Sequence, residues 1–508
     1  MKPRPIWAAL ILGGCMLAAV HLLFRGDLPE QPAPVPAEVA VGDQEVAFLN
    51  PATMASTWER VVAGLRHLQR TSSPGTLLID DSQAYPKSTA ALPAVALRRK
   101  DQPGTLWLRW YKLTGQNSIP VWLEALTRRA TPPLAVLGGG SSDRAKELAE
   151  GLAVLRKAGR ATPVLLLTTA TAEYVAPIPD SPPPLMRIYD GQTFRFSFSN
   201  RQMARATLDF LWSQPLLKPR PGLICFLSWK DDPFTQDLAY QFRDLLWERY
   251  SDVFLNIEIP HSIGPLHEPN GGERYAVRKL LEELQRVPAE KPVLLVMPGG
   301  PVPVRRVLRD IFRSAPAEAT RLIVTVGDAI DFNTIVRDRA LSWNIQDVPC
   351  PLVMFCHRHP MCGRTDPQWK EARQKPERLK GLSSTQDLLL YADIGDTLVR
   401  ALFSENALAA PSGTLAQRLL QVRDGQGRMV FQNEQPSALQ QPESLPGNRR
   451  YEAPQFLVLL QPVRQAGQVL PWADLYLFEH DTTGWQRRSY LRVPYEDGAV
   501  ANREGRDP

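Results

Sequence analysis

PPLAVLGGGSSDRAKELAEGLAVLRKAGRATPVLLLTTATAEY (132–174) is the stretch on which the fold turns. An unbroken apolar run, LAVL, leads into three glycines and Ser-Ser-Asp. An amphipathic segment of helical length follows, and then a second unbroken run, VLLL, that ends in threonines. Continuous rather than alternating apolar residues mark strands buried on both faces, as in parallel sheets. Strand, helix and strand in this order make a βαβ unit, and its crossover is right-handed.

The same alternation continues on both sides. GTLLID, GLICFLSW, KPVLLVMPGG, RLIVTVGDA and CPLVMFC read as further buried parallel strands. TWERVVAGLRHLQR, SIPVWLEALTRRA, RQMARATLDFLW, TQDLAYQFRDLLWERY, ERYAVRKLLEELQR and PVRRVLRDIFRS read as the helices between them. The class is α/β. In a chain of 508 residues with 44% hydrophobic content, there are too many units for one small sheet, so two doubly wound Rossmann-like lobes are expected. Beyond residue 411 the strand-like runs RMVFQ, QFLVLLQPV and ADLYLFEHD imply a small antiparallel C-terminal β element, with a polar tail over 497–508.

The N-terminus addresses the compartment. Lys2 and Arg4 precede an apolar run from Ile6 to Phe24, close to the ~20 residues that span a bilayer. Residues 1–26 are therefore expected to be a transmembrane signal-anchor with the bulk of the chain on the extracytoplasmic side of the cell membrane. Leu12-Gly13-Gly14-Cys15 also resembles a lipobox, which leaves lipoprotein processing as an alternative. Residues 27–44, DLPEQPAPVPAEVAVGDQ, read as a semi-extended Pro-rich linker. At ~3.1 Å per residue it would hold the globular part about 50 Å from the membrane. The net charge of +6 is spread over scattered pairs such as Arg98-Arg99 and Arg305-Arg306, so no nucleic-acid partner is expected.

Four stretches carry candidate binding chemistry. In LGGGSSD the glycines permit a close turn, and Ser141, Ser142 and Asp143 can cap the following helix or hold an anion. The loop lacks the GK[ST] of a Walker A motif, and taken alone it reads first as a capped βα turn. TTATAEY puts hydroxyls at Thr168, Thr169 and Thr171, at the carboxyl end of a strand where open α/β sheets take ligands, although the strand propensity of Thr also explains them. In SWKDDPF, Trp229 and Phe234 flank charged residues and could stack on a ligand. In VTVGDA, Asp328 could meet an ammonium, or could simply cap a helix.

Taken together, the order of these stretches resembles the type I periplasmic binding proteins, the leucine/isoleucine/valine-binding family. TFRFSFSNRQMARATLDFL resembles that family's crossing into a second lobe. GLICFLSWKDDPFTQDLAYQFRDLL resembles its lobe-two strand and helix, and LLLYADIGDTLVRAL its late helix. GRMVF, followed by GNRR, resembles its terminal segment. The resemblance spans roughly 45–465.

It implies two lobes joined by a three-crossover hinge. Residues 45–199 would form the first part of lobe 1 and 200–350 the first part of lobe 2. Residues 351–410 would return to lobe 1, and 411–496 to lobe 2 with the C-terminal β element. It also implies a ligand site: Ser141 or Ser142 with Ala170 and Thr171 on a carboxylate, Asp328 on an ammonium, and Phe234 where the family has Tyr. Phe234 keeps the ring and loses the hydroxyl, and Pro301 and Val302 stand where leucine binders place another Tyr. The implied function is a solute-binding or sensing clamp for a small polar ligand such as an amino acid, without catalysis or cofactor, read by a permease or receptor partner. A clamp that has lost its ligand and serves as a protein-interaction module is the alternative.

CPLVMFCHRHPMCG (350–363) gathers three cysteines and two histidines. In an oxidising compartment a Cys356–Cys362 disulfide competes with unpaired thiols and, at C-x5-C-x5-C spacing, less well with zinc. The resemblance places this segment beside the hinge. No GxSxG or HExxH motif occurs, and HEP (267–269) lacks the second histidine of a zincin.

Overall fold

The computed structural model describes residues 34–71, 76–88, 91–175, 183–260, 271–330, 350–360, 386–403, 412–423, 431–433, 454–465 and 468–494. The first sheet has the order β2 (Leu77–Asp80), β3 (Ala94–Arg99), β4 (Leu106–Leu113), β1 (Gln44–Pro51), β5 (Ala135–Gly138), β6 (Val164–Leu167), β7 (Thr193–Arg195). From β4 to β7 the strands run parallel, and β2 and β3 add an antiparallel edge. GTLLID, expected to be a buried parallel strand, is that edge strand: Leu77 is buried and Leu78 exposed, because only one face of an edge hairpin is covered.

Strand β1 lies in the middle, and its side chains divide between two layers. Val46 and Phe48 pack with α1 (Ala55–Thr71), α10 (Gln386–Leu402) and α11 (Ser412–Leu419). Ala47 and Leu49 pack with α2 (Ile119–Thr127), α3 (Ser142–Lys157) and the single turn α4 (Leu185–Ile188). Period-two alternation thus feeds two cores from one strand.

The second sheet runs β15 (Gly484–Pro494), β14 (Gln468–Asp481), β13 (Gln455–Gln465), β12 (Leu352–Cys356), β11 (Leu322–Thr325), β10 (Val293–Val296), β8 (Leu223–Trp229), β9 (Phe254–Ile259). The five strands β9 to β12 are parallel. Helices α5 (Asn200–Ser213) and α6 (Pro233–Tyr250) cover one face, and α7 (Gly271–Leu284), α8 (Pro301–Ser314) and the turn α9 (Pro316–Ala319) the other.

The C-terminal strands do not form a separate small element. They extend the second sheet as an antiparallel meander, with β12 bonded along its whole length to β13. Phe478 and Trp485 stack edge-on against Phe210 of α5, which buries the meander on the lobe.

The chain passes between the sheets three times, and the passages bond to one another. The first, Phe196–Ser199, leaves β7 for α5. The second begins at His357 after β12. In the third, Gln432 exchanges backbone hydrogen bonds with Arg195 at 2.9 and 2.7 Å. His357 Nδ1 accepts from the Phe198 amide at 3.1 Å, and the Arg358 guanidinium donates to the Phe196 carbonyl at 3.2 Å. Two open α/β sheets joined by three adjacent passages make a two-lobed clamp, the architecture that the resemblance implies.

Residues 1–26, expected to cross the membrane, lie outside the described residues; among those described, no helix is long and apolar enough to do so. Three residues of the linker, Ala37, Glu38 and Asp43, are bonded to lobe 1. Arg129 Nη1 donates to the Ala37 carbonyl at 2.6 Å, Arg109 Nη1 to that of Glu38 at 3.1 Å, and Asp43 accepts from the Thr105 amide and the Trp107 indole. Both arginines also pair with Glu45, whose side chain is fully buried.

Candidate functional site

The polar candidates collect at the carboxyl ends of the parallel strands. Lobe 1 contributes the loops after β5 and β6. Gly139 takes φ +70 in the first, and a Cβ there would meet the Leu167 side chain at 2.7 Å, so only glycine turns the chain this tightly. Ser141 is the N-cap of α3 by backbone, yet its hydroxyl makes no cap bond. Its Oγ is buried and has no partner among the described residues.

Ser142, by contrast, is committed within lobe 1. Its Oγ accepts from the Ala172 amide at 3.3 Å, which ties the two loops together. Ala170 and Thr171 are buried, and their carbonyls face the hinge: Ser197 Oγ donates to Ala170 at 3.2 Å, and the Asn200 amide to Thr171 at 2.8 Å. The buried Arg195 guanidinium donates to the carbonyls of Thr171 and Ala172.

Lobe 2 contributes the loops after β8, β10 and β11. Trp229 closes β8 and is buried, with its ring against Gly299 and its Nε1 unpartnered among the described residues. Thr235 Oγ1 holds the Trp229 amide at 2.9 Å. Asp232 caps α6 through the Phe234 amide at 3.0 Å, and the Phe234 carbonyl accepts from Asn200 Nδ2 at 3.2 Å.

Gly327, at φ +65, makes the turn that delivers Asp328. Asp328 Oδ2 lies 2.8 Å from His357 Nε2. Since His357 Nδ1 accepts from a backbone amide, the proton sits on Nε2 and is donated to Asp328. Asp328 is thus half engaged by the hinge, while its Oδ1 is buried without a partner among the described residues.

The two lobes touch at this end through α3 and α6. Burial raises the Asp232 carboxyl above the usual carboxylate range, and the charge of Asp143 across the interface adds to it. The deepest bridge is one that the sequence analysis missed. Asp237 of α6 is buried and accepts from the amides of Glu173 at 2.8 Å and Tyr174 at 3.3 Å, both in the lobe 1 loop after β6. Asn200 Nδ2 and Gln241 Nε2, both of lobe 2, donate to the same carboxylate at 2.8 and 3.2 Å.

Burial pushes the Asp237 carboxyl up to about 6 against the pull of the Glu173 amide, Gln241 and Asn200, and the nearby Glu173 charge adds to the rise. Glu173 itself accepts from Ser199 Oγ at 2.6 Å. Arg201 pairs with Gln241 and Asp244 beside it.

The structure therefore brings Ser142, Ala170 and Thr171 together in lobe 1, and sets Phe234 beside the Gly327–Asp328 turn in lobe 2. Among the described residues no hydrogen bond links Ser141 to Trp229, Phe234 or Asp328. Of the cysteine cluster, Cys350 and Cys356 are buried. Burial pushes the Cys350 thiol up to about 12. Cys362, and with it the Cys356–Cys362 pairing, lies outside the described residues. Among those described, no group of three or more His, Cys, Asp or Glu side chains is placed to hold a metal ion.

No family model and no curated protein matches the sequence. Solved structures of similar fold include a leucine-, isoleucine-, valine-, threonine- and alanine-binding protein from Brucella ovis in its closed conformation. It is 10% identical, covers 90% of this chain and 95% of its own, and has a TM-score of 0.49. A possible leucine/isoleucine/valine-binding protein from Rhodopirellula baltica is 11% identical over 89% of this chain and 98% of its own, at a TM-score of 0.47. An extracellular ligand-binding receptor from Verminephrobacter eiseniae is 11% identical over 84% and 99%, also at 0.47.

Proposed function

We propose that this chain is a membrane-tethered, extracytoplasmic solute-binding or sensing protein whose two lobes close on a small polar ligand, an amino acid or a related compound. The observation that carries this reading is the meeting of the two lobes at the carboxyl ends of their parallel strands, where open α/β sheets take ligands. Ser141 Oγ and Asp328 Oδ1 lie there, buried and without partners among the described residues. Such groups are costly to leave unpaired, so a ligand that satisfies them gains what the empty protein lacks.

An ammonium on Asp328 Oδ1 and a ligand oxygen on the Ser141 hydroxyl would use one group from each lobe. The work is then differential affinity: a ligand that bonds to both lobes favours the closed form, and a permease or receptor partner reads the closure. No bond need be broken. The sequence of residues 1–26 supports the anchor, and the bonds of Ala37, Glu38 and Asp43 to lobe 1 would keep it nearer the membrane than a free linker would.

A thermal-shift panel on the full chain tests the reading. A bound amino acid or small acid at about 100 times its Kd should raise the melting temperature by about 3 °C. Ser141→Ala and Asp328→Asn should each weaken that response. If no member of the panel shifts the wild type, the solute-binding reading fails. The second reading, an interaction module that keeps the clamp and binds no solute, is favoured by one observation: Asp237 already occupies the amides of Glu173 and Tyr174.

A further inference from the structure

Main-chain amides in a loop at the end of a parallel strand are natural donors to a carboxylate. In lobe 1 the loop after β6 turns two successive amides, those of Glu173 and Tyr174, outward from its own sheet. Both are taken by one carboxylate, Asp237, which arrives from α6 of lobe 2. The opposite side of the loop is fixed, because Arg195 and Asn200 hold its carbonyls, so the amides present a preset pair of donors. The carboxylate is equally preset, since Asn200 and Gln241 orient it from within its own lobe.

We propose that Asp237 is a built-in ligand: a lobe 2 carboxylate that occupies the amide pair of lobe 1 and holds the clamp shut with no solute bound. A carboxylate from outside, on a solute or on a partner protein, then reaches this amide pair only by displacing Asp237. The second statement rests on the proposed clamp function, whereas the first does not.

The arrangement has a direct chemical consequence. Removing the Asp237 side chain leaves a carboxylate-sized space lined by four N–H donors, which acetate or formate can fill. The test uses the full chain with spin-labelled amino acids introduced at Val154 of α3 and Trp247 of α6, both exposed. The distance between the two labels is read by pulsed electron resonance.

The wild type should give one short distance that acetate does not change. Asp237→Ala should populate a longer distance, with the open form increased at least about tenfold, as expected for losing one charge-assisted hydrogen bond between lobes. Acetate or formate at tens of millimolar, on the order expected for so small a ligand, should restore the short distance. Asp237→Asn, which fills the same space, guards against a folding defect: it should melt cooperatively, open in part, and ignore acetate.

A short distance in Asp237→Ala without acetate overturns the proposal. So does an open Asp237→Ala that acetate fails to close while Asp237→Asn remains folded. A wild type held shut by Asp237 that nevertheless binds no solute leaves the built-in ligand standing and removes the solute-binding reading. A protein that binds solute while Asp237→Ala stays closed does the reverse.

Discussion

Replacing Glu45 with Ala is expected to cost about 3–5 kcal/mol of stability, the loss typical when one member of a buried ion cluster is removed. Glu45 sits at the start of the central strand β1 with its side chain fully buried. One carboxylate oxygen accepts from Arg109 at 2.6 Å and Arg129 at 3.1 Å, and the other from the Tyr111 hydroxyl at 2.9 Å and Arg129 at 3.2 Å. Without it, two nearly buried guanidinium groups face each other with no counter-charge. The same arginines hold the carbonyls of Ala37 and Glu38, so residues 34–43 should come away from lobe 1 together with the loss. Urea denaturation gives the free energy, and limited proteolysis near residue 40 gives the release. Exchanging all three charged residues together, as Glu45→Leu with Arg109→Met and Arg129→Met, should recover most of the stability, because no charge is then left buried. A Glu45→Ala loss below about 1 kcal/mol, the scale of an exposed pair, would contradict the assignment.

Asp237 should give the protein a measurable acid dependence. Its folded pKa, about 6, lies above the ordinary carboxylate value of 3.8, so the folded state holds the proton more tightly than the unfolded chain. The contribution is therefore full below the unfolded value, and is lost as pH rises through the window from about 4 to about 6. At about 1.4 kcal/mol per unit, the loss is about 3 kcal/mol once Asp237 is ionised. The amide of Asp237→Asn cannot titrate. The difference in unfolding free energy between wild type and this variant should thus slope over that window and be flat above it. Because both proteins share every other titrating group, the difference isolates Asp237 and its neighbour Glu173. Parallel curves from pH 4 to 7 would mean that the carboxylate is not buried between the lobes.

Much of the scaffold was legible because burial on two faces writes unbroken apolar runs. LAVL, VLLL, LICFL, VLLV and LIVT are all strands of the parallel cores, and the amphipathic segments between them are helices. Strands whose surroundings are mixed escaped. β1, QEVAFLNP, carries the buried Glu45 and adjoins the Pro-rich linker, so its apolar run is short and broken. β9 alternates at a sheet edge, and β15, GWQRRSYLRVP, reads as polar because it is the outer strand of the meander.

The candidate site divided in the same way. Ser141, Ser142, Ala170, Thr171, Trp229, Phe234 and Asp328 could be picked out because each stands at or shortly after the end of an apolar run. Asp237 could not. It lies within α6, where a charged residue next to an apolar stripe ordinarily faces water. Its spacing of four from Gln241 was the only hint, since two polar side chains on one buried edge of a helix need a partner. That partner is a backbone loop 63 to 64 residues earlier in the chain, in the other lobe, which no local pattern records. His357 was weighed as a metal ligand or a strand residue. Its position between the Phe198 amide and Asp328 depends on two passages of the hinge coming side by side.

The central claim is that the lobes meet through Asp237 when no solute is bound, and amide hydrogen exchange of the full wild-type chain at neutral pH tests it most directly. The amides of Glu173 and Tyr174 both donate to Asp237 of the other lobe, so removing that carboxylate should lower their protection. The account predicts slow exchange at both positions in the wild type, and fast exchange at both in Asp237→Ala, with the strands β6 and β8 equally protected in the two proteins. Fast exchange at Glu173 and Tyr174 in the wild type, beside protected strands, would mean that the lobes stand apart and would contradict it.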